Sequence, residues 1–368
     1  MRNQMQAFLM ALGLVAGLTA AAIPSAHAQT PGPTAPRANL PRLGIALNVP
    51  EGGGEAELLD TLRENIRLGL DGAAVSVKWS DVERSPGQYE WKALDDGLGF
   101  AKMMGAEVAL TIQTIDTNQR TMPSDLMGKP FNDPELRRRW REFLAAMVPR
   151  LTPAVKWVSL GNEVDGYLGT RPDELGPFAE FMREGRNVLR QAKAGLPVGV
   201  TLMAHELDRN PTVAGQLIPV CDVVFFTLYP IGPDFRPMPP AEWPKSLRKA
   251  LAAAGTRPVI IQELGLPSSP VVDSSPKLQA DFVRAMMHEL ERGGDQIRLV
   301  SFFMSVDFGR AFLDVLSKYY GLDDARFREF LGSLGFKDAQ GKARPAWWEF
   351  VRAARAWDAR KRPEPAVP

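Results

Sequence analysis

Val155-Lys156-Trp157-Val158-Ser159-Leu160-Gly161-Asn162-Glu163 and Pro258-Val259-Ile260-Ile261-Gln262-Glu263 are two apolar, β-branched-rich runs that each end in a glutamate. Runs of this kind suit strands buried on both faces, as in parallel sheets covered by helices. A carboxylate at the end of a buried strand must be paired or face a water-accessible cavity, because burying it alone costs several kcal/mol or more.

The same rhythm extends in both directions. Strand-length apolar runs occupy residues 43–49, 73–78, 107–112, 155–160, 197–203, 223–228, 258–261 and 297–303. Helix-period stretches lie between most of them, at 55–68, 91–104, 134–148, 173–194, 241–254 and 277–291. Eight such units are the number that closes a barrel, so the expected fold is α/β, a single (β/α)8 TIM barrel over residues 42–358. A doubly wound open sheet is the competing architecture. Its mark would be a Gly-rich phosphate turn after the first strand. The loop Pro50-Glu51-Gly52-Gly53-Gly54-Glu55 lacks that spacing and carries acids that repel phosphate. The long connections, residues 79–90, 113–133, 229–240 and 264–276, all follow strands, on the rim where a barrel carries its site. Residues 305–344 form a longer extension after the eighth strand, read as an inserted helix or lid, before a final helix and a tail at 359–368.

Composition sets the outer bounds. A hydrophobic share of 45% in 368 residues is ample for a large core, and a net charge of +1 gives no global field to recruit nucleic acid or anionic membrane. The basic run Arg137-Arg138-Arg139 reads as a solvated helix face. Met1-Arg2, the apolar stretch to Ile23 and Ser25-Ala26-His27-Ala28 have the three-part form of a secretory signal peptide at residues 1–28, with an uncleaved anchor as the alternative. Residues 29–41 are rich in Pro and Ala and read as an extended linker. A periplasmic or secreted location follows from that signal. The single cysteine, Cys221, permits no intrachain disulfide and reads as a small packing residue.

Two carboxylates on separate strands of one sheet are what acid–base chemistry at a glycosidic bond requires. Alternation places Trp157, Ser159, Gly161 and Glu163 on one face of the fourth strand, and Val259, Ile261 and Glu263 on one face of the seventh. A separation near ~5–5.5 Å would make one the nucleophile and the other the acid/base. Asn162-Glu163 and Glu263, with Leu228-Tyr229-Pro230 after the sixth strand, resemble the retaining (β/α)8-barrel glycoside hydrolases of clan A, with endo-galactanase-like and cellulase-like branches most similar. The resemblance implies that Glu163 is the general acid/base and Glu263 the nucleophile. It also implies that Asn162 binds the sugar 2-hydroxyl and Tyr229 hydrogen-bonds Glu263. It departs at Val164, where a proline often follows the acid/base, and at Gln113, where a histidine is usual. It departs again at Phe302-Phe303-Met304, where many members place a tryptophan.

On the upper rim, Trp79, Tyr89, Trp91, Tyr167, Tyr229 and Phe308 are candidate stacking platforms. Lys78, Asp81, Glu83, Gln113, His205 and Glu206 are candidate polar contacts. The substrate-binding set is accordingly Asn162, Tyr229, Lys78, Trp79, Gln113 and Glu206. Trp140, Trp347 and Trp348 read as core anchors. No H-E-x-x-H, G-x-S-x-G or P-loop occurs, and no organic cofactor or metal is called for, although calcium near Asp116 or Asp165 stays open. The expectation is an exported retaining β-glycosidase acting on a poly- or oligosaccharide by double displacement. A catalytically inactive glycan-binding barrel of the cell envelope and an envelope scaffold are the rivals.

Overall fold

The computed structural model describes residues 40–361; the signal-peptide reading, and the linker reading up to residue 39, lie outside the described residues. Eight parallel strands form the barrel wall. They are β1 Arg42–Ile45, β2 Gly72–Lys78, β3 Glu107–Gln113, β4 Val155–Ser159, β5 Val198–Gly199 continuing as Thr201–Met203, β6 Val224–Leu228, β7 Val259–Leu264 and β8 Ile297–Phe302. The first half of β5 pairs with β4 and the second half with β6, which carries the sheet past Val200. At the seam between β1 and β2, Asp71 N–H donates to Leu43 O at 3.1 Å and Leu43 N–H to Asp71 Oδ1 at 3.0 Å. Gly44 is required there, since a Cβ would stand 2.4 Å from the Gly72 carbonyl oxygen.

The principal outer helices are α1 Glu55–Arg67, α2 Lys92–Met104, α3 Pro134–Met147, α4 Pro172–Ala192, α5 Pro211–Leu217, α6 Trp243–Ala254, α7 Pro276–Arg292 and α8 Pro345–Lys361. Five of them begin with proline, whose fixed φ and missing N–H suit the first helical position and so set where each rim loop ends. Asp133 and Ser275 add side-chain caps to α3 and α7. The α5 turn was not expected, being too short for its period to register. The final helix runs on to Lys361, whose ammonium reaches Asp71 at 2.8 Å and ties α8 to the β1–β2 seam.

Inside the barrel, Ala109, Trp157, Val223, Phe225, Ile260 and Leu299 form an apolar layer. Above them, toward the C-terminal ends of the strands, the lining turns polar with Thr111, Ser159, Thr201 and Gln262, all buried. The far larger apolar cluster lies between wall and helices. Trp348 is a correction: it is 64% exposed. Trp347, Phe350, Ala354 and Trp357 take the inner face of α8 at helical spacing, and Trp348 falls on the opposite side.

The extension after β8 holds two helices, Arg310–Tyr320 and Ala325–Leu331. Its root is fixed by Asn48 Nδ2 donating to the Val306 and Asp307 carbonyls at 2.9 and 3.1 Å, and by Arg344 pairing with Asp307 at 2.5 Å.

On the outer side of β2, Glu83 is fully buried and accepts from Trp79 Nε1 at 2.7 Å, Gly87 N–H at 2.8 Å and Arg139 Nε at 2.9 Å. Arg139, expected on a solvated helix face, is itself buried, and without Glu83 it would keep only Asp125 at 2.8 Å as a partner while the Trp79 N–H would lose its acceptor. Glu83→Ala should therefore lower unfolding free energy in urea by about 3–5 kcal/mol.

Candidate active site

The chain leaves β4 through Leu160, Gly161 and Asn162, and Glu163 follows in the left-handed region at φ +47 before a single helical turn, Val164–Leu168. Thr117, in the loop after β3, is also left-handed at φ +55, an outlier for a β-branched residue. The two are laced together: Asn162 N–H donates to Ile115 O at 2.9 Å and Thr117 N–H to Asn162 O at 3.0 Å. Gly166 lets them approach, since a Cβ there would meet the Thr117 carbonyl oxygen at 2.5 Å. Conformations of this kind cost on the order of 1–3 kcal/mol each and persist where neighbours over-determine them. What they achieve here is a clamp on one carboxylate. Thr117 Oγ1 donates to Glu163 Oε2 and Thr227 Oγ1 to Glu163 Oε1, both at 2.6 Å.

Glu263 reaches the same place by a different device. Simple alternation puts it with Val259 and Ile261, but those two side chains face the helices, and Ile260 and Gln262 face the interior. Between Phe226↔Ile261 and Thr227↔Glu263 the β7 register slips by one residue, so Gln262 is a bulge. The bulge reverses parity above it, and Glu263 points inward after all. Tyr229 O–H donates to Glu263 Oε2 at 2.6 Å. Thr227, which holds Glu163, is the register partner of Glu263, so the two carboxylates stand beside one another.

Gln262 ties the site together from below. Its Oε1 accepts from Thr111 and Thr201 at 2.8 and 2.9 Å, which fixes the amide, and its Nε2 donates to Asn162 Oδ1 at 2.6 Å. Asn162 Nδ2 then donates to Asp116 Oδ1 at 3.0 Å. Asp116 also accepts from Tyr319 O–H at 2.7 Å and from Gln113 Nε2 at 3.4 Å, and Lys78 Nζ lies 3.6 Å from its Oδ2. The Lys78 ammonium sits 3.9 Å from the centre of the Tyr319 ring.

Burial and mutual repulsion shape the electrostatics. Burial, then the charge of Glu163, pushes Glu263 up to about 8, against the opposing Tyr229 hydrogen bond. Burial and the Asp116 charge raise Glu163 as well, against its two threonine hydroxyls. Burial and Glu263 hold the Tyr229 phenol well above its ordinary range, so it stays a donor. Two carboxylates so placed titrate as a pair, each held above the ordinary carboxylate range.

Of the residues singled out in the sequence, Lys78, Gln113, Asn162, Glu163, Tyr229 and Glu263 converge. Trp79 does not: it is fully buried, its indole N–H spent on Glu83 and its ring against Trp140 and Phe143 at 5.1 and 5.5 Å, leaving no face for a ligand. Strand β2 ends at Lys78, and the helical turn Trp79–Val82 swings the next side chain outward. Glu206 stays within its own turn, accepting from Asn210 at 2.7 Å and pairing with Arg209 at 2.8 Å. Tyr167 bonds Glu174 and Arg120, Trp91 stacks on Phe143, and Phe308 packs on Phe312. Thr117, Thr227, Gln262, Tyr319 and the structural role of Asp116 were missed. Only Thr227 carried a signal, lying near the end of β6 two residues before Tyr229. Among the described residues no group of three or more His, Cys, Asp or Glu gathers as a metal site. Burial pushes the Cys221 thiol up to about 12, in keeping with a packing role.

No family model matches the chain, and no curated protein matches it in sequence. Solved structures do match in three dimensions. A GH5_18 protein from Streptomyces cattleya in complex with GlcNAc is 20% identical over 90% of this chain and 82% of its own, with a TM-score of 0.67. The exo-beta-1,4-mannosidase Op5Man5 from Opitutaceae bacterium strain TAV5 is 18% identical over 88% of this chain and 60% of its own, at 0.66. Xylanase 10B from Thermotoga maritima is 13% identical over 87% and 96%, at 0.64. The chain shares their (β/α)8 fold. At these identities the likeness is one of architecture, and what the site does must be argued from its own atoms.

A carboxyl whose folded pKa is raised binds its proton more tightly folded than unfolded. Its stabilising contribution is complete below about 4.5 and is lost as pH rises through about 8. Glu263→Gln should therefore melt higher than wild type at pH near ~9, with the gap closing near ~4.

Proposed function

We propose that the chain is a retaining β-glycoside hydrolase acting on a poly- or oligosaccharide, with Glu163 as acid/base and Glu263 as nucleophile. The observation that carries this reading is the pairing of the two carboxylates through Thr227 at the mouth of the barrel. In the first step the Glu263 carboxylate attacks the anomeric carbon while Glu163 gives its proton to the glycosidic oxygen, releasing the leaving sugar as an alcohol and forming a glycosyl ester. In the second, Glu163 takes a proton from water as that water attacks the same carbon, which frees Glu263 and restores the β configuration.

The one-proton state of the pair supplies both roles. The roles require that proton on Glu163 and the charge on Glu263 in the reacting form, and the Tyr229 O–H donating to Glu263 favours the charged form of that carboxylate. Asn162 uses one N–H on Asp116 and keeps its second for a sugar hydroxyl, in an orientation fixed by Gln262. Lys78 and Gln113 stand beside it for neighbouring hydroxyls. A protein that only bound glycan would have no use for two repelling, half-buried carboxylates, which favours catalysis over the binding-only alternative. Export through residues 1–28 is part of the proposal, and N-terminal sequencing of the mature protein tests it.

The roles separate by leaving group, since a good leaving group needs no acid. Glu163→Ala should lose about 10²–10⁴-fold on an unactivated β-glycoside yet keep most of its first-step rate on a dinitrophenyl glycoside, whereas Glu263→Ala should lose both. Wild-type activity toward both substrates in either variant would exclude the assignment. In wild type, kcat/KM should fall at both ends of the pH range, with the alkaline limb set by loss of the Glu163 proton and displaced above the ordinary carboxylate range by burial.

A further inference from the structure

The extension after β8 is built over the barrel mouth, and its contacts are one-sided. Gly309, before the first of its helices, packs against Glu51 in the loop after β1. That helix ends at Tyr319 and Tyr320, whose carbonyls accept from Gln119 Nε2 at 2.8 Å and Asn118 Nδ2 at 2.9 Å in the loop after β3. The second helix sets Phe327 and Phe330 against Phe235 and Tyr229 in the loop after β6. Beyond it, Ser333 O accepts from Ser268 N–H at 2.9 Å in the loop after β7. The extension thus spans the rim from β6 and β7, past β8 and β1, to β3. Glu263, on β7, lies under it; Glu163, at the end of β4, lies toward the side where β4 and β5 reach the rim.

The end of the first helix is also at the catalytic centre. Tyr319 O–H donates to Asp116 at 2.7 Å there, and the Tyr320 ring centre lies 4.9 Å from that of Tyr319, its phenol held well above its ordinary range by burial and the charges of Asp116 and Glu163. Tyr319, Asp116, Gln113 and Lys78 make a hydrogen-bonded polar wall that continues into Asn162. On the reading above, Asn162 touches the sugar ring under attack, so this wall closes around the hydroxyls of that same ring. The leaving sugar departs beside its proton donor, Glu163, on the β4–β5 side.

We propose that the extension makes the site a dead-end pocket for the non-reducing terminal sugar of a β-glycan, so that the protein releases monosaccharides rather than cutting within chains. This rests on the hydrolase reading and adds its mode of action. On this proposal the Tyr319–Asp116–Gln113–Lys78 wall stops a second sugar beyond the attacked ring, while the β4–β5 side, where the extension makes none of the contacts above, takes the rest of the chain.

The test has two stages, which separate the two readings. Aryl β-mannoside, glucoside, xyloside and galactoside first identify the accepted sugar. The β-1,4-linked hexaose of that sugar, labelled at its reducing end, is then followed at early conversion. The expected result is a labelled pentaose as the first labelled product together with the free unlabelled monosaccharide. A labelled di-, tri- or tetraose appearing first overturns the dead-end pocket while leaving the hydrolase reading intact, and so does an uncut hexaose of an accepted sugar. No turnover of any aryl glycoside overturns both. Tyr319→Ala, checked for folding by its melting curve, should raise KM about tenfold with a smaller change in kcat, the worth of one hydrogen bond to a charged group. It should also yield shorter labelled products. A pentaose-only pattern with unchanged KM in that variant overturns the role given to the extension.

Discussion

The hydrogen bond from Gln262 Nε2 to Asn162 Oδ1, 2.6 Å long, joins the ends of β7 and β4 across the barrel mouth, and the rest of the site depends on it. Gln262 is available to make it because β7 carries one residue more than its neighbours at that level. The surplus residue turns inward, and so does the one after it. One bulge therefore places an amide in the floor and a carboxylate at the mouth, where regular alternation would have offered only one of them. With its own oxygen held by Thr111 and Thr201, Gln262 has a single orientation, and it hands that orientation to Asn162 and through Asn162 to Asp116. A buried polar chain of this kind, each member satisfied by the next, holds side chains more firmly than the same contacts taken singly.

The site so held is under electrostatic tension. Glu163 and Glu263 are each pushed toward protonation by burial and by acidic neighbours, and Lys78 is the cation paired with Asp116. The left-handed backbone at Thr117 and Glu163 adds local strain. Neither feature helps the protein fold. Both become intelligible if a proton must be held between two carboxylates near neutral pH and delivered to a defined atom. The stabilising side lies elsewhere: in the apolar shell between wall and helices, in the Glu83–Arg139 pair, and in the α8 contacts that seal the β1–β2 seam.

Much of the architecture was legible because it is periodic. Eight apolar runs alternating with helical stretches state a (β/α)8 barrel repeatedly, so one missed element such as α5 does not alter the count. The two glutamates were legible for a related reason, as charges that end buried strands. What failed was whatever periodicity does not encode. The bulge at Gln262 has no local signature, and parity assigned Glu263 to the wrong face of a regular strand; it reached the interior only through the irregularity. Trp79 followed a strand end, yet a single helical turn carried it outward to Glu83. Asp116 and Thr117 sit in a loop whose path is set by β4, and Tyr319 comes from an extension more than 200 positions away in the chain. Contacts of that kind are fixed by the assembled rim, and short-range pattern holds no record of them.

The asymmetry of the rim gives the two carboxylates different surroundings from nearly the same chemistry. Glu163 is held by two hydroxyls that can either donate or accept, so it can gain and lose a proton without losing its partners. Glu263 has one such partner, the Tyr229 phenol, whose ring packs against Phe330 of the β8 extension. A group that must exchange protons with a departing sugar and then with water needs access to both. A group that must hold a sugar covalently needs a fixed approach, with water admitted only from the side of the acid/base. The extension covers the second and leaves the side of the first, so the roles proposed for the two glutamates match the strand that each one ends.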